Sequence, residues 1–329
     1  MREIMMWEAL NEALREEMKR DAKVFCLGED IGLAYVWSVT RGLIDEFGAD
    51  RVRDTPISES AIMGAAVGAA LMGMRPVPEL QFSDFMFVAM DQIFNQASKT
   101  RYMFGGQLSV PLVLRLPSGG YFNFGATHSQ SLEALLIHSP GLKVVMPSDP
   151  RDGKGLLKSA IRDPNPVAFF EHKALYKISG PVPEEEYTIP LGKADIKRDG
   201  TDVCVIALSF MVTKALAAAE TLEKEGISAM VLDPRTLVPL DKEGIAEAVR
   251  KTNRVVIVEE GCKTGGVGAE ISAVINEEAF DYLDAPIARV AAHDAPIPFS
   301  KPLEDYVLPN EEKIVDAVRK VMEGVSVRT

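Results

Sequence analysis

Cysteine is scarce in this chain of 329 residues: Cys26, Cys204 and Cys262 stand far apart, so neither a zinc knot nor a redox dithiol is offered. Three isolated thiols fit a reducing, cytosol-like compartment. Histidine is also sparse, with four in all, and none has the spacing of a metal-binding pair. No apolar run reaches the ~20 residues of a membrane span. The least polar stretch, Ala61 to Met74, is Gly-rich and reads as a buried helix. Met1-Arg-Glu-Ile-Met-Met lacks the apolar core of a signal peptide, and the expected location is the cytoplasm. Basic residues are outnumbered, 36 against 48 acids, for a net charge of −12. Nucleic acid is therefore not an expected partner, and the dispersed acidity reads as solubility. Hydrophobic residues make up 47%, enough for full cores, and the length suggests two domains.

Apolar strands alternate with helical stretches along the first part. Strands are predicted at Val24–Leu27, Arg51–Thr55, Val77–Gln81, Leu112–Leu116, Lys143–Met146 and Val167–Phe170. Helices are predicted at Thr40–Phe47, Ser60–Met72, Asp84–Tyr102, Ser131–His138 and Pro150–Arg162, and Ile4, Met5, Ala9, Leu10, Ala13 and Leu14 follow helical spacing. The Pro-rich, acidic Ser179 to Tyr187 reads as a linker. Beyond it come strands at Val203–Leu208, Ser228–Leu232, Val255–Glu259 and Ile287–Ala291, and helices at Met211–Glu225, Lys242–Lys251, Val267–Phe280 and Glu311–Met322. The expectation is an α/β chain of two domains, 1–185 and 186–329, each a mostly parallel sheet covered by helices.

A few polar residues fall where chemistry is placed in such sheets. Glu59 follows Arg51 to Ile57, an extended segment that breaks at Pro56 and Ser58 into a Gly- and Ala-rich helix. Ligands bind outside the carboxyl ends of parallel strands, yet Glu59 reads equally as a charge favouring the helix N-terminus, with Ser58 as cap. Phe85 sits among the aromatics of Phe82-Ser-Asp-Phe-Met-Phe87 and reads alone as a core residue. His128, on a Gly-rich loop after Pro117-Ser-Gly-Gly-Tyr121, suits proton transfer or the capping of the next helix. Glu29 and Asp30 end the first strand and fit a solvated turn. His138 reads as a helix-end cap, and His172 and His293 as structural or solvent-facing. Lys263-Thr-Gly-Gly-Val-Gly-Ala-Glu270 invites a phosphate-loop reading, but the lysine precedes the glycines, so a tight strand-to-helix turn is favoured.

The ordered series Asp54-Thr-Pro-Ile-Ser-Glu-Ser-Ala-Ile-Met-Gly64, Gly73-Met-Arg-Pro-Val-Pro-Glu79, Lys99-Thr-Arg-Tyr-Met-Phe-Gly-Gly106, Thr127-His-Ser-Gln130, Pro140-Gly-Leu-Lys-Val-Val145 and Ser159-Ala-Ile-Arg-Asp163 spans much of the chain. It resembles the β subunit of the thiamine-diphosphate-dependent decarboxylating component of 2-oxo acid dehydrogenase complexes. The resemblance implies a transketolase-like pyrimidine-binding domain followed by a transketolase C-terminal-like domain. It implies that Glu59 hydrogen-bonds a ring nitrogen of the cofactor's aminopyrimidine, and that Ile57, Gln81 and Phe85 line that pocket. His128 matches the residue that assists acyl transfer to a lipoyl sulfur, and Glu29 an acid on a proton route between two cofactors. Leu112, Ala160, Asp163 and Asn165 match positions whose oxygens hold a monovalent cation such as potassium, although Asp163-Pro-Asn165 also reads as a plain turn.

One family element is missing. The Gly-Asp-Gly pattern with a downstream Asn, which carries magnesium and the diphosphate, does not occur; Asp199-Gly-Thr is the nearest fragment. The resemblance therefore implies that Mg2+ is held by a separate α subunit, in a heterotetramer of two α and two β chains. It also implies a dihydrolipoyl acyltransferase core and a lipoyl domain as partners. Stretches such as Asp233-Pro-Arg-Thr-Leu-Val-Pro-Leu240 look most like the pyruvate and acetoin branches. A transketolase-like sugar-phosphate enzyme, and a non-catalytic module binding a phosphorylated ligand at the Gly265–Gly268 turn, stand as alternatives. Nothing in the C-terminal domain reads as catalytic.

Overall fold

The computed structural model describes residues 1–34 and 36–324. By their internal contacts, Met1–Ser118 and Leu135–Leu191 form one compact unit, and Gly119–Ala134 with the chain from Gly192 onward a second. The first unit contains β1 (Arg2–Met5), α1 (Met6–Arg20), β2 (Val24–Gly28), α2 (Leu43–Phe47), β3 (Val52–Asp54), α3 (Glu59–Leu71), β4 (Arg75–Glu79), α4 (Thr100–Met103) and β5 (Val113–Ser118). The chain returns to it through α5 (Glu133–Ile137), and continues with β6 (Lys143–Val145), α6 (Pro150–Arg162), β7 (Val167–His172) and β8 (Ser179–Val182). Within this unit the sheet runs β6-β7-β5-β4-β2-β3, all parallel. β2, β5 and β7 are buried along their whole lengths, as strands covered on both faces must be.

Three expectations need correction here. Ile4 and Met5 are not helical: β1 pairs antiparallel with β8, Arg2 opposite Val182 and Met5 opposite Ser179. The supposed linker thus begins as a strand, and its end stays with this unit. Tyr187 Oη donates to the Arg151 carbonyl (2.8 Å), and a Cβ at Gly155 would lie 2.6 Å from Ile189 Cγ1. The division of contacts falls after Leu191. Asp84–Tyr102 is not one helix but a 3-10 stretch (Ser83–Ala89), a π-helical turn (Gln92–Ala97) and α4. Ser98 is the cause at the π turn: its N–H and Oγ both donate to the Ile93 carbonyl, five residues back, at 3.2 and 2.7 Å.

The second unit contains β9 (Asp195–Arg198), β10 (Val203–Ala207), α7 (Phe210–Lys224), β11 (Ala229–Asp233), β12 (Thr236–Val238), α8 (Lys242–Thr252), β13 (Val255–Cys262), α9 (Val267–Ala279), β14 (Ala288–Ala292), α10 (Lys301–Val307) and α11 (Glu311–Met322). Its sheet runs β14-β13-β10-β11-β9, and β9 alone is antiparallel to its neighbour. Asp241 and Asn310 cap α8 and α11 by accepting from Gly244 and Lys313 N–H groups. One apolar cluster joins β10, β11, β13 and β14 to α7 and α11.

The first unit has a charged core at the carboxyl end of its central strands. Arg115 of β5, 1% exposed, grips Glu171 of β7 with two parallel bonds of 2.7 and 2.6 Å and also pairs with Glu79 of β4. Tyr176 Oη donates to Glu171 (2.7 Å). Burial alone would weaken the guanidinium's charge, but Glu171 and then Glu79 outweigh it and hold Arg115 protonated. Replacing Arg115 with Met, near in volume, leaves two buried carboxylates without their cation. It should destabilise the fold by about 3–5 kcal/mol in urea titration; a loss under about 1 kcal/mol would show that the acids do not depend on it.

Candidate functional site

Strand register assembles the first part of the site. Gly28 lies opposite both Asp54 and Glu79, so the ends of β2, β3 and β4 stand abreast. Gly28 is required there: a Cβ would fall 2.8 Å from the Glu79 carbonyl. Gln81, just past β4, donates from Nε2 to the Glu29 carbonyl (3.1 Å) and to Glu79 Oε1 (3.0 Å). Glu59 opens α3 and is half-buried, and no side-chain bond from Ser58 caps that helix. Among the described residues the Glu59 carboxylate has no hydrogen-bond or ion-pair partner. It lies close enough to Glu29 to matter: burial first, then the charges of Asp30 and Glu59, push the Glu29 carboxyl above its ordinary pKa. Ser60 Oγ donates to the Val88 carbonyl, tying the start of α3 to the 3-10 stretch that carries the half-buried Phe85. Ile57, two residues before Glu59, is 72% exposed.

These residues fit the pyrimidine half of thiamine diphosphate: an unpartnered carboxylate, a tethered amide and two apolar side chains at a sheet's carboxyl edge. They do not fit the metal–diphosphate half. Among the described residues no cluster of His, Cys, Asp or Glu is suited to a metal.

The four residues matched to a cation site all lie in the first unit, with most of their oxygens engaged. The Leu112 carbonyl accepts from Val167 N–H (3.0 Å), and that of Ala160 from Asp163 N–H (3.2 Å). Arg75 donates to the Asp163 carbonyl (3.2 Å), Lys143 pairs with the Asp163 carboxylate, and Arg101 donates to Asn165 Oδ1 (2.9 Å).

His128 belongs to the second unit by its contacts, within Gly119–Ala134. It is half-buried in a loop, its Nδ1 3.0 Å from Thr127 Oγ1 and its N–H donating to the Gly125 carbonyl (3.4 Å). Buried acids hold the loop. Glu260 accepts from Gly120 N–H (2.7 Å) and Ser131 Oγ (3.0 Å); Glu304 accepts from the N–H groups of Tyr121 (3.0 Å) and Asn123 (3.2 Å) and from Asn123 Nδ2 (3.0 Å). Sequence reading missed both acids. The nearest signal was their type, and it was read as solubility, whereas Glu17, Glu79, Glu133, Glu171, Glu259, Glu260 and Glu304 are all buried.

The remaining polar features are structural. His172 Nδ1 accepts from Ala174 N–H (3.1 Å), capping a turn. His293 stacks on Tyr306 at 5.1 Å, and His138 is exposed. The Gly-rich turn before α9 has no room for phosphate, because Glu259 lies beneath it, accepts from Gly268 N–H (3.0 Å) and would clash with a Cβ at Gly266 or Gly268. A nearby hollow of about 400 Å³ is lined by Lys263, Arg289, Lys313 and Lys320. Arg289 is spent on Glu259 (2.8 Å), and Lys313 on the Tyr306 and Leu308 carbonyls (2.5 and 2.7 Å). No helix of the described residues is long and apolar enough to cross a membrane.

Family profiles divide the chain in the same sense as its folding. The transketolase pyrimidine-binding domain matches residues 2–179, and the transketolase C-terminal domain matches 192–314. Fold and matches together define a protein of the transketolase type, a thiamine-diphosphate family. Three Bacillus subtilis (strain 168) proteins are similar over almost the whole chain. The 2-oxoisovalerate dehydrogenase subunit beta is 50% identical, covering 96% of this chain and 98% of its own length. The acetoin:2,6-dichlorophenolindophenol oxidoreductase subunit beta is 48% identical, covering 98% of each. The pyruvate dehydrogenase E1 component subunit beta is also 48% identical, covering 98% of this chain and 100% of its own. A solved structure titled a split-gene transketolase, inactive β4 tetramer, matches with a TM-score of 0.80 at 27% identity, over 98% of this chain and 99% of that one. The chain belongs to the family of β subunits of 2-oxo acid and acetoin dehydrogenases, oxidoreductase components built on transketolase domains.

Glu133, at the start of α5, is 2% exposed, and its Oε2 has no hydrogen-bond partner among the described residues. Burial first, and then the charges of Glu259 and Glu260, push its pKa up to about 8. The folded chain therefore keeps a proton that the unfolded chain releases at the ordinary carboxylate pKa. The resulting stabilisation is complete below that ordinary value and is lost as pH rises through about 8. Glu133→Gln should leave the melting temperature nearly unchanged at pH 5 and raise it at pH 9. An equal change at both would mean that the carboxyl does not titrate in this way.

Proposed function

We propose that this chain acts with an α chain as a thiamine-diphosphate-dependent dehydrogenase. In this reading two chains of each kind assemble, the α chain holds Mg2+ and the diphosphate, and the acyl group passes to a lipoyl domain of a dihydrolipoyl acyltransferase core in the cytoplasm. The observation that carries it is Glu59, half-buried at the carboxyl edge of the first unit's sheet and without a protein partner among the described residues. Bound thiamine diphosphate supplies the carbon nucleophile and the electron sink for cleaving a 2-oxo acid or acetoin. Glu59 shares a proton with a ring nitrogen of the aminopyrimidine. Gln81 is fixed by Glu79 and the Glu29 carbonyl and presents its remaining amide valences to the ring. Phe85 and Ile57 give the pocket apolar walls, and Glu29 joins a proton route. His128 moves a proton during acyl transfer to the lipoyl sulfur. The oxygens of Leu112, Ala160, Asp163 and Asn165 take a monovalent cation, potassium in this reading; the second lone pair of each carbonyl is the ligand.

The substrate proposed is pyruvate or acetoin, each of which yields a two-carbon acyl group. Because the 2-oxoisovalerate relative is as similar as the others, the assay includes its substrate. Against sugar-phosphate transfer stands the engagement of two of the cations near α11, Arg289 with Glu259 and Lys313 with carbonyls.

Reconstitution with the α chain, magnesium and thiamine diphosphate should give dye reduction with pyruvate or acetoin, whereas the isolated chain should bind cofactor poorly and show no turnover. Glu59→Gln should lower turnover by about 10²–10⁴-fold while assembly persists; full activity in that variant rejects the role. His128→Ala should slow lipoyl acylation far more than it weakens cofactor binding, and equal losses would make the histidine structural.

A further inference from the structure

Glu304 has no place in the chemistry just proposed, yet it is fully buried and turned toward the loop that carries His128. We propose that Glu304 is a positioning residue for His128, acting from the C-terminal domain through the loop's backbone. The inference rests on the assignment of His128 as the acyl-transfer residue.

Tyr121 and Asn123 adopt left-handed backbone conformations, φ 70° and 58°, which side chains other than glycine seldom hold without support. The Glu304 carboxylate supplies that support. It accepts Tyr121 N–H on Oε1, Asn123 N–H across both oxygens and Asn123 Nδ2 on Oε2. Charge-assisted bonds to an ionised acceptor are the strong kind. Glu260 closes the same loop at its ends, through Gly120 and Ser131. Gly120 sits between the two acids, where a Cβ would lie 3.5 Å from Glu304 and 3.7 Å from Glu260. Tyr121 Oη adds a bond to the Pro309 carbonyl (2.7 Å), just beyond α10. His128 therefore sits on a span clamped at 120, 121, 123 and 131. A small displacement of a proton-transfer group costs rate steeply, and that is what the clamp prevents.

The test uses the holoenzyme assembled with its partner chain. Glu304→Gln keeps the size and most acceptor geometry but removes the charge. Lipoyl acylation should fall about tenfold in kcat, with KM for the lipoyl domain and cofactor affinity within about twofold. In the His128→Ala background the same change should cost nothing further, since it acts through the missing imidazole. Amide exchange at Tyr121 and Asn123 should speed up in Glu304→Gln, and Glu304→Asp, which retains the charge, should recover part of the lost rate. If Glu304→Gln does not assemble, Glu304→Asp carries the same cycle, with a smaller loss expected. Undiminished acylation, or losses that add in the double variant, would overturn the proposal. If His128→Ala itself acylates normally, the histidine assignment fails, and the exchange measurement still decides whether Glu304 holds the loop.

Discussion

Arg115 lies sealed in β5 between Glu79 of β4 and Glu171 of β7, and much of the carboxyl edge of the first unit's sheet depends on it. One cation joins three adjacent strands at their carboxyl ends, where open α/β sheets present ligand sites. Buried carboxylates demand such a partner, because desolvation without one is costly. The order then passes outward. Glu79 holds the Gln81 amide, and Gln81 holds the Glu29 carbonyl, so the ends of β4 and β2 form one hydrogen-bonded chain. Glu59 enters beside that chain at the head of α3, where no donor among the described residues meets it. The geometry of the edge is fixed from beneath by charge, leaving its outermost acid free for something else.

The second unit uses acids differently. Glu259, Glu260 and Glu304 are buried and accept chiefly from backbone N–H groups at turns and loop bends. A carboxylate offers four lone-pair directions and so can hold several amides that no helix or sheet satisfies. Gly266 and Gly268 are glycines for the complementary reason, since Glu259 occupies the space a side chain would fill. This explains why a Gly-rich turn at a helix start is not an anion site here: its donors already face a negative charge. It also explains why the net charge of −12 overstates the charge presented to solvent.

How much of this the sequence discloses follows from what is local. Four helices of the second unit, α7, α8, α9 and α11, were legible because their apolar periodicity runs over several turns, and Asp241 and Asn310 cap two of them. The parallel strands were legible as short apolar runs. β1 was not, because its partner β8 lies at the far end of the unit and the pairing is antiparallel. Ile4 and Met5 fit a helical stripe and a strand equally well until that partner is known. The π turn within Asp84–Tyr102 goes with the Ser98 hydroxyl donating to the Ile93 carbonyl, a local feature whose outcome periodicity does not encode. At the candidate site, Glu59, Gln81, Phe85 and His128 were proposed from the family pattern. Glu304 was not, because a short stretch such as Lys301–Val307 reads as ordinary surface.

Glu59 is hard to account for by stability alone. An acid at a helix N-terminus contributes about 0.3–1 kcal/mol near a surface. Here that gain is set against the charge of Glu29, whose own proton affinity is raised partly by Glu59. A serine or asparagine at the same place would cap the helix without the repulsion, and Ser58 makes no capping bond that would compensate. The acid therefore stands where the described residues offer it neither a donor nor a countercharge. A heterocycle whose ring nitrogen takes up a proton supplies both at once: an N–H that donates to the carboxylate, and a positive charge beside it. Among the described residues no side-chain cluster is suited to a metal, and one carboxylate can orient and polarise a ring but cannot hold a diphosphate. Retention of Glu59 against local stability fits a chain that completes its chemistry with a second polypeptide.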